Sequence, residues 1–371
     1  RTRDARPGRH LTPALPDSPP SGGCESPINR LRPSHTGRLS RFFGYVGGGE
    51  WGVDNVWTRG GRGQNPWMRT STPLPTALRG TAFTRADARA QDVPNSRLNA
   101  TDLRSPFSGT RVPAAGASRH LELEVLLRQL PAHTVFCGAT AAWIYGLALP
   151  LHVSATLDSV AYVAVPRGAR AIRRAGVVGR ALDLTENDVA SFGPWRVTSP
   201  ARTLVDLAQT LDLRSLVAVA DQLISIATPF CSQAQLRGVA RRFKAGRGAR
   251  KLAECLQLAN GLAESPAESM LRVILWEAGL PTPLVNEPLF DARGTFVARV
   301  DLLFAEFGII VEYEGDHHRI DKEQWRRDIT RIGKLQALGF HVERAQGDDL
   351  THPDALIARL RHHLRLRGWR P

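Results

Sequence analysis

The sequence predicts an α/β protein, and three observations carry that expectation. Residues 298–344 read as strand, tight turn, strand, loop, helix and strand, an alternating apolar pattern giving way to a helical one. Helix signatures, a serine N-cap followed by proline, open apolar repeats at Ser199-Pro200 and Ser265-Pro266. Short strand-like runs at 155–165, 175–178 and 195–198 place an α+β region ahead of the C-terminal sheet.

With 371 residues the chain has room for two modest domains and an appendage. A formal charge of +14 favours a polyanionic partner, although part of that charge lies in the first 71 residues. No run of eighteen uninterrupted apolar residues is present, which argues against a membrane span, and the basic start lacks the apolar stretch of a secretory signal. Cys24, Cys137, Cys231 and Cys255 show no metal-ligand spacing. That pattern argues against zinc and a disulfide framework, and for a cytoplasmic protein.

Residues 1–71 hold 12 glycines, 8 prolines and 11 arginines against 5 acids, a composition expected to stay disordered. Order is expected from Leu74. Thr84 caps a short helix with Asp87 at the capping-box position. A second short element spans 95–103, and 107–112 reads as a strand or wing. Together they outline a winged-helix module over 72–118. Helical spacing returns at 120–130, and 134–149 mixes a short strand, Gly138 and a compact helix. Trp143 and Tyr145 in that helix read as core. Pro200 at the first helical turn opens a helix buried through Leu204, Leu207 and Leu211, with Arg202 and Asp206 as an i,i+4 pair. Helices at 213–226 and 232–243 follow. Arg237, Arg241, Arg242, Lys244, Arg247, Arg250 and Lys251 then put seven positive charges into fifteen residues without an acid, which reads as a phosphate-contacting patch or as ordinary basic surface.

The last domain is expected over 263–371. Ser265 caps a helix ending at Gly279, with Glu268 at N3 reaching back to the cap while projecting toward the packed side. Leu284–Leu289 is a first strand. In the next two, Val300, Leu302 and Phe304 alternate with Asp301, and Ile309, Val311 and Tyr313 with Glu312 and Glu314. A two-residue turn at Phe307-Gly308 sets Asp301 opposite Glu314 and diagonal to Glu312, roughly 7–8 Å away. Carboxylates crowded on one face repel, and a hard divalent cation such as Mg²⁺, shared among their tips, removes the conflict. Such a site suits phosphodiester hydrolysis. The bland alternative is an acidic hairpin facing solvent. His317 and His318 follow at the strand exit as candidate proton donors or phosphate contacts. A helix over 322–338, a strand over 340–345 and a final amphipathic helix over 354–366 complete the domain.

The ordered motifs SPAESMLR, RVDLLF, VEYEGDHH, RRD with ITR, and GFHVERA resemble the DUF559 group. That group belongs with the restriction-endonuclease-like proteins of the PD-(D/E)XK superfamily and is related to the very-short-patch repair endonuclease. The resemblance implies a restriction-endonuclease-like mixed sheet flanked by helices. It also implies a metal-dependent DNA endonuclease in which Asp301 and Glu312 bind Mg²⁺ and Glu268 completes the shell. Glu314, where the wider superfamily often has lysine, orients water, and His318 assists the phosphate. Asp328 and Arg331 match the helix pair of the family, with Arg331 on phosphate or on Asp328.

The front half, through FTRADARAQ, GATAAWIYGLALP and VTSPARTLVDLA, is similar to the front half of actinobacterial DUF559 proteins and to AbiEi-type antitoxins, which begin with a winged helix. On that resemblance, 119–255 is an AbiEi-like α+β region ending in the basic patch. The competing function is then a DNA-binding regulator or antitoxin-like protein that keeps a nuclease fold without cutting, with a toxin-antitoxin or repair partner.

Overall fold

The computed structural model describes residues 72–114, 118–315 and 322–371, so the tail expected to be disordered lies outside the described residues. All described residues fall in one compact unit. Among them no helix is long and apolar enough to cross a membrane.

The first segment contains β1 (Phe83–Thr84), α1 (Arg85–Arg89), β2 (Leu103–Arg104) and β3 (Thr110–Pro113), the strands forming an antiparallel sheet in the order β1-β3-β2. Thr84 and Asp87 close the reciprocal capping box that the sequence predicted. The element expected over 95–103 is instead a single 3₁₀ turn, Arg97–Asn99, followed by β2. Leu78, Phe83, Ala88 and Leu98 make a small core beneath.

Next come α2 (Arg119–Arg128), β4 (Val135–Phe136), α3 (Gly138–Ile144), α4 (Leu151–Thr156), β5 (Ala161–Pro166), β6 (Arg173–Arg174), β7 (Val177–Leu182), β8 (Val189–Phe192) and β9 (Trp195–Thr198). They build a six-stranded mixed sheet in the order β6-β7-β5-β4-β9-β8. The strand expected from 155 starts only at Ala161, because Pro150 sits at the N-cap of α4 and the chain stays helical to Thr156.

Four helices cover this sheet: α5 (Pro200–Leu207), α6 (Leu213–Leu223), α7 (Gln233–Ala240) and α8 (Ala249–Leu258). Ser199 holds the N-cap position of α5, but its hydroxyl is buried without a hydrogen bond, so Pro200 supplies the start signal and the cap bond does not form. The basic run conceals α8, whose Leu252 and Cys255 are buried between the charges.

The C-terminal part has α9 (Pro266–Glu277), β10 (Leu284–Phe290), β11 (Phe296–Phe304), β12 (Ile309–Tyr313), α10 (Lys322–Ala337), β13 (His341–Ala345), α11 (Gly347–Thr351) and α12 (Asp354–Leu366). The sheet order is β10-β11-β12-β13; the first two pairings are antiparallel, and the last is parallel, made by the α10 crossover. Leu271, Ile274 and Leu275 of α9 and Leu356, Leu360 and Leu364 of α12 pack on Leu302, Phe304 and Val311. Leu335 of α10 packs with Val300, Leu303 and Ile310 in a second cluster.

The helix α9 belongs to two cores, since Val273 joins the cluster under the six-stranded sheet. The buried pair Arg272–Asp221, 2.6 Å apart, binds α9 to α6, and Asp221 also accepts the Asn260 N–H at 2.6 Å. Burial pushes the Asp221 carboxyl up, against the pull of Arg272 and the Asn260 N–H. Arg214 and Glu277 add a half-exposed pair at the end of the same junction.

Candidate functional site

The carboxylates nominated by the motifs sit where β11 and β12 meet, but in a different register. Leu302 pairs with Val311, Leu303 with Ile310 and Phe304 with Ile309. Carried one residue on, that register sets Asp301 opposite Glu312; Glu314 is not its partner. The cause is the connection: Ala305–Phe307 forms a 3₁₀ turn and Gly308 alone takes the left-handed conformation, at φ 56°. The loop is therefore two residues longer than predicted. A slip of two preserves the face, so Asp301 still shares it with Glu312.

Alternation in β11 breaks at Asp301. Val300 packs with Leu303 and Ile310, while Leu302 packs with Phe304 on the other side, so Val300 and Leu302 do not share a face as predicted. In the neighbouring strand Asn286 has φ 51°, and the ladder between β10 and β11 skips Asn286 and Asp301. A left-handed non-glycine residue is uncommon, and here the Asn286 side chain gains two acceptors, Leu262 O at 2.9 Å and Glu268 Oε2 at 2.8 Å.

Each acid has its own partners. Asp301 Oδ2 accepts the Tyr313 N–H at 2.8 Å. Burial, then the negative charges of Glu312 and Glu268, raise its pKa to about 7, against the Tyr313 N–H and Arg331. Glu312 is buried, and both its oxygens accept from Arg331, at 3.0 and 2.9 Å, a bidentate pair. Glu314 pairs with Arg344 at 2.6 Å. Glu268 projects to the packed side as predicted, yet it does not reach the Ser265 cap; it accepts the Glu264 N–H at 3.0 Å as well as Asn286. Only the Ser265 half of the box forms, with Ser265 Oγ accepting the Glu268 N–H. His317, His318 and the Asp328 side chain lie outside the described residues.

As arranged, Asp301 and Glu312 could take Mg²⁺ or Mn²⁺ only with Glu312 turned away from Arg331. Among the described residues, Glu268, Asp301 and Glu312 do not bring an oxygen each within 4.8 Å of one another. Arg331 already neutralises Glu312 through both of the oxygens an ion needs. The pairing of Arg331 with Glu312 was missed in the sequence because they lie 19 positions apart and no local spacing reports them.

The basic run divides by role. Arg237, Arg241, Lys244, Arg247 and Arg250 are exposed, with Arg250 also bonded to Glu254 across one helical turn. Lys251 is turned inward onto the carbonyls of Ala208 and Leu211. Arg242 binds Asp188 and Thr185 and lies beside Phe243. Asp188 and Arg202 are both buried, and Arg202 reaches Asp206 at 3.0 Å and the Asp183 carbonyl at 2.7 Å. Burial pushes the Asp188 carboxyl up, but Arg242, Thr185 and Arg202 hold it below the usual carboxylate range.

Residues 134–260, from β4 through α8, match the AbiEi antitoxin C-terminal domain. Two curated proteins resemble a longer stretch. They are the uncharacterized protein MT2308 of Mycobacterium tuberculosis strain CDC 1551 / Oshkosh and the uncharacterized protein Rv2248 of strain ATCC 25618 / H37Rv. Each is 29% identical over 245 residues, covering 64% of this chain and 87% of the relative. No solved structure matches the chain.

Proposed function

We propose that this protein is a DNA-binding regulator of the antitoxin kind that carries a restriction-endonuclease-like, DUF559-like domain over 263–371 without using it to cut. The similarity of residues 134–260 to the AbiEi antitoxin C-terminal domain carries this reading. The hold of Arg331 on Glu312 supports its second half, because a carboxylate closed by a guanidinium is not offered to a metal. Duplex backbone is held by the exposed arc Arg237, Arg241, Lys244, Arg247 and Arg250, and any sequence reading falls to the small three-stranded module over 72–118. A protein toxin is the expected second partner.

Fluorescence anisotropy with a labelled duplex across a salt series tests this, with gel analysis of the same DNA after incubation with Mg²⁺ or Mn²⁺. The proposal expects salt-sensitive binding and intact DNA. Binding indifferent to salt removes the regulator reading.

A metal-dependent endonuclease is the second reading, and one observation favours it. Glu312 and Glu268 both raise the Asp301 pKa, the strain that a bound cation relieves. It requires Arg331 to release Glu312.

A further inference from the structure

Away from the acidic strands, β13 and α12 bring together a second set of donor groups. His341 and Glu343 are two apart on β13, hence on one face of the strand, the face on which Ala345 meets the core containing α12. His363 stands on α12, one turn beyond Arg359. The rings of His341 and His363 stack with centroids 3.8 Å apart and planes 29° from parallel. Glu343 is about nine-tenths buried, and Arg359 takes its Oε1 at 2.7 Å. The other oxygen, Oε2, stands 3.5 Å from His341 Nε2. That nitrogen is buried yet makes no hydrogen bond.

We propose that His341, Glu343 and His363 form a binding site for a divalent transition metal ion, of the Zn²⁺ or Co²⁺ type. One donor atom from each lies within 4.8 Å of the other two, the sole such group among the described residues. A tetrahedral ion with bonds of about 2.0–2.1 Å needs its donors roughly 3.3 Å apart, so the donors must close in and the stacked rings must turn their nitrogens toward a common point. Two imidazoles and one carboxylate suit the borderline metals rather than Mg²⁺, which prefers oxygen alone. Neutral imidazole is the ligand form of histidine, so binding is expected to weaken as pH falls.

The unsatisfied Nε2 of His341 is the second observation, since a buried ring nitrogen without a partner is rare and a metal satisfies it. Arg359 does not compete for the ion, because it occupies the far oxygen and orients the carboxylate from behind, as outer partners of metal ligands do. The ion staples an edge strand to the helix that covers it. Since β13 lies against β12, the staple steadies the strand that carries Glu312. Three protein ligands leave a fourth position for water.

The test uses the full chain and Co²⁺ as the probe. The proposal expects one equivalent of Co²⁺ to bind with the visible absorption of a four-coordinate ion. His341→Ala and His363→Ala are each expected to weaken it by about tenfold or more, while the exposed His152→Ala leaves it unchanged. Should either variant fold poorly, chemical modification of histidines on the unaltered chain provides an independent measurement, with Co²⁺ expected to protect His341 and His363. Absence of saturable Co²⁺ binding, a spectrum that survives the His341→Ala/His363→Ala double variant, or protection confined to other histidines overturns the proposal.

Discussion

Replacing Asp301 with asparagine is expected to stabilise the protein, by an amount that grows with pH. Asparagine keeps the oxygen that accepts the Tyr313 N–H and removes the charge that faces Glu312 and Glu268. The Asp301 pKa is raised from 3.8 to about 7 on folding. Well below pH 3.8 both folded and unfolded chains carry the proton, and the carboxyl costs nothing. As pH rises, the unfolded chain loses its proton first, so stability falls until the folded carboxyl ionises near pH 7. Each unit is worth ~1.4 kcal/mol, so between pH 5 and pH 8 the variant gains about 3 kcal/mol on the parent. At roughly 2–4 °C per kcal/mol, the gap in melting temperature widens by about 6–12 °C. Calorimetry of both proteins across that range reads it. A gap that stays constant, or a variant that loses ground as pH rises, refutes the placement of a crowded, half-buried carboxyl at Asp301.

Three further outcomes follow from the packing. Arg272→Met leaves Asp221 buried without its cation and is expected to cost about 3–5 kcal/mol in chemical denaturation, much of it returned by adding Asp221→Leu. Gly248→Ala forces a φ of 88° on a residue whose Cβ runs into the Ala208 carbonyl, and a loss of roughly 1–3 kcal/mol or more is expected by the same measurement. The triple change Arg241→Ala/Lys244→Ala/Arg247→Ala removes three exposed charges, so the log–log salt slope of duplex binding is expected to fall by about 2.7, with thermal stability unchanged.

Local signals in the sequence translated well into structure where one short stretch carries the whole instruction. The Thr84–Asp87 capping box and the bounds of α12 are of this kind, as is the apolar stripe of α5. Edge strands were less legible: β6 is two arginines, and β8 follows a 3₁₀ turn that supplies no apolar run. At the acidic strands, alternation placed Asp301 and Glu312 on one face, and a register slip of two residues leaves that face unchanged. The register depended on whether the turn held two residues or four, which one glycine does not decide. Partners at long separation were invisible, among them Arg331 on Glu312 and Asn286 on Glu268. The His341–Glu343–His363 group was missed for a related reason. Its only local trace is a His-x-Glu at strand spacing, and its third member arrives from a helix 20 residues later.

A single incubation bears on the central claim most directly. The purified chain is mixed with labelled duplex DNA in Mg²⁺ or Mn²⁺, and binding and strand integrity are read from the same samples. A saturable, salt-weakened complex over intact DNA is the predicted result. Metal-dependent strand breaks that disappear in Asp301→Asn contradict it, and make the carboxylates of β11 and β12 a working nuclease centre.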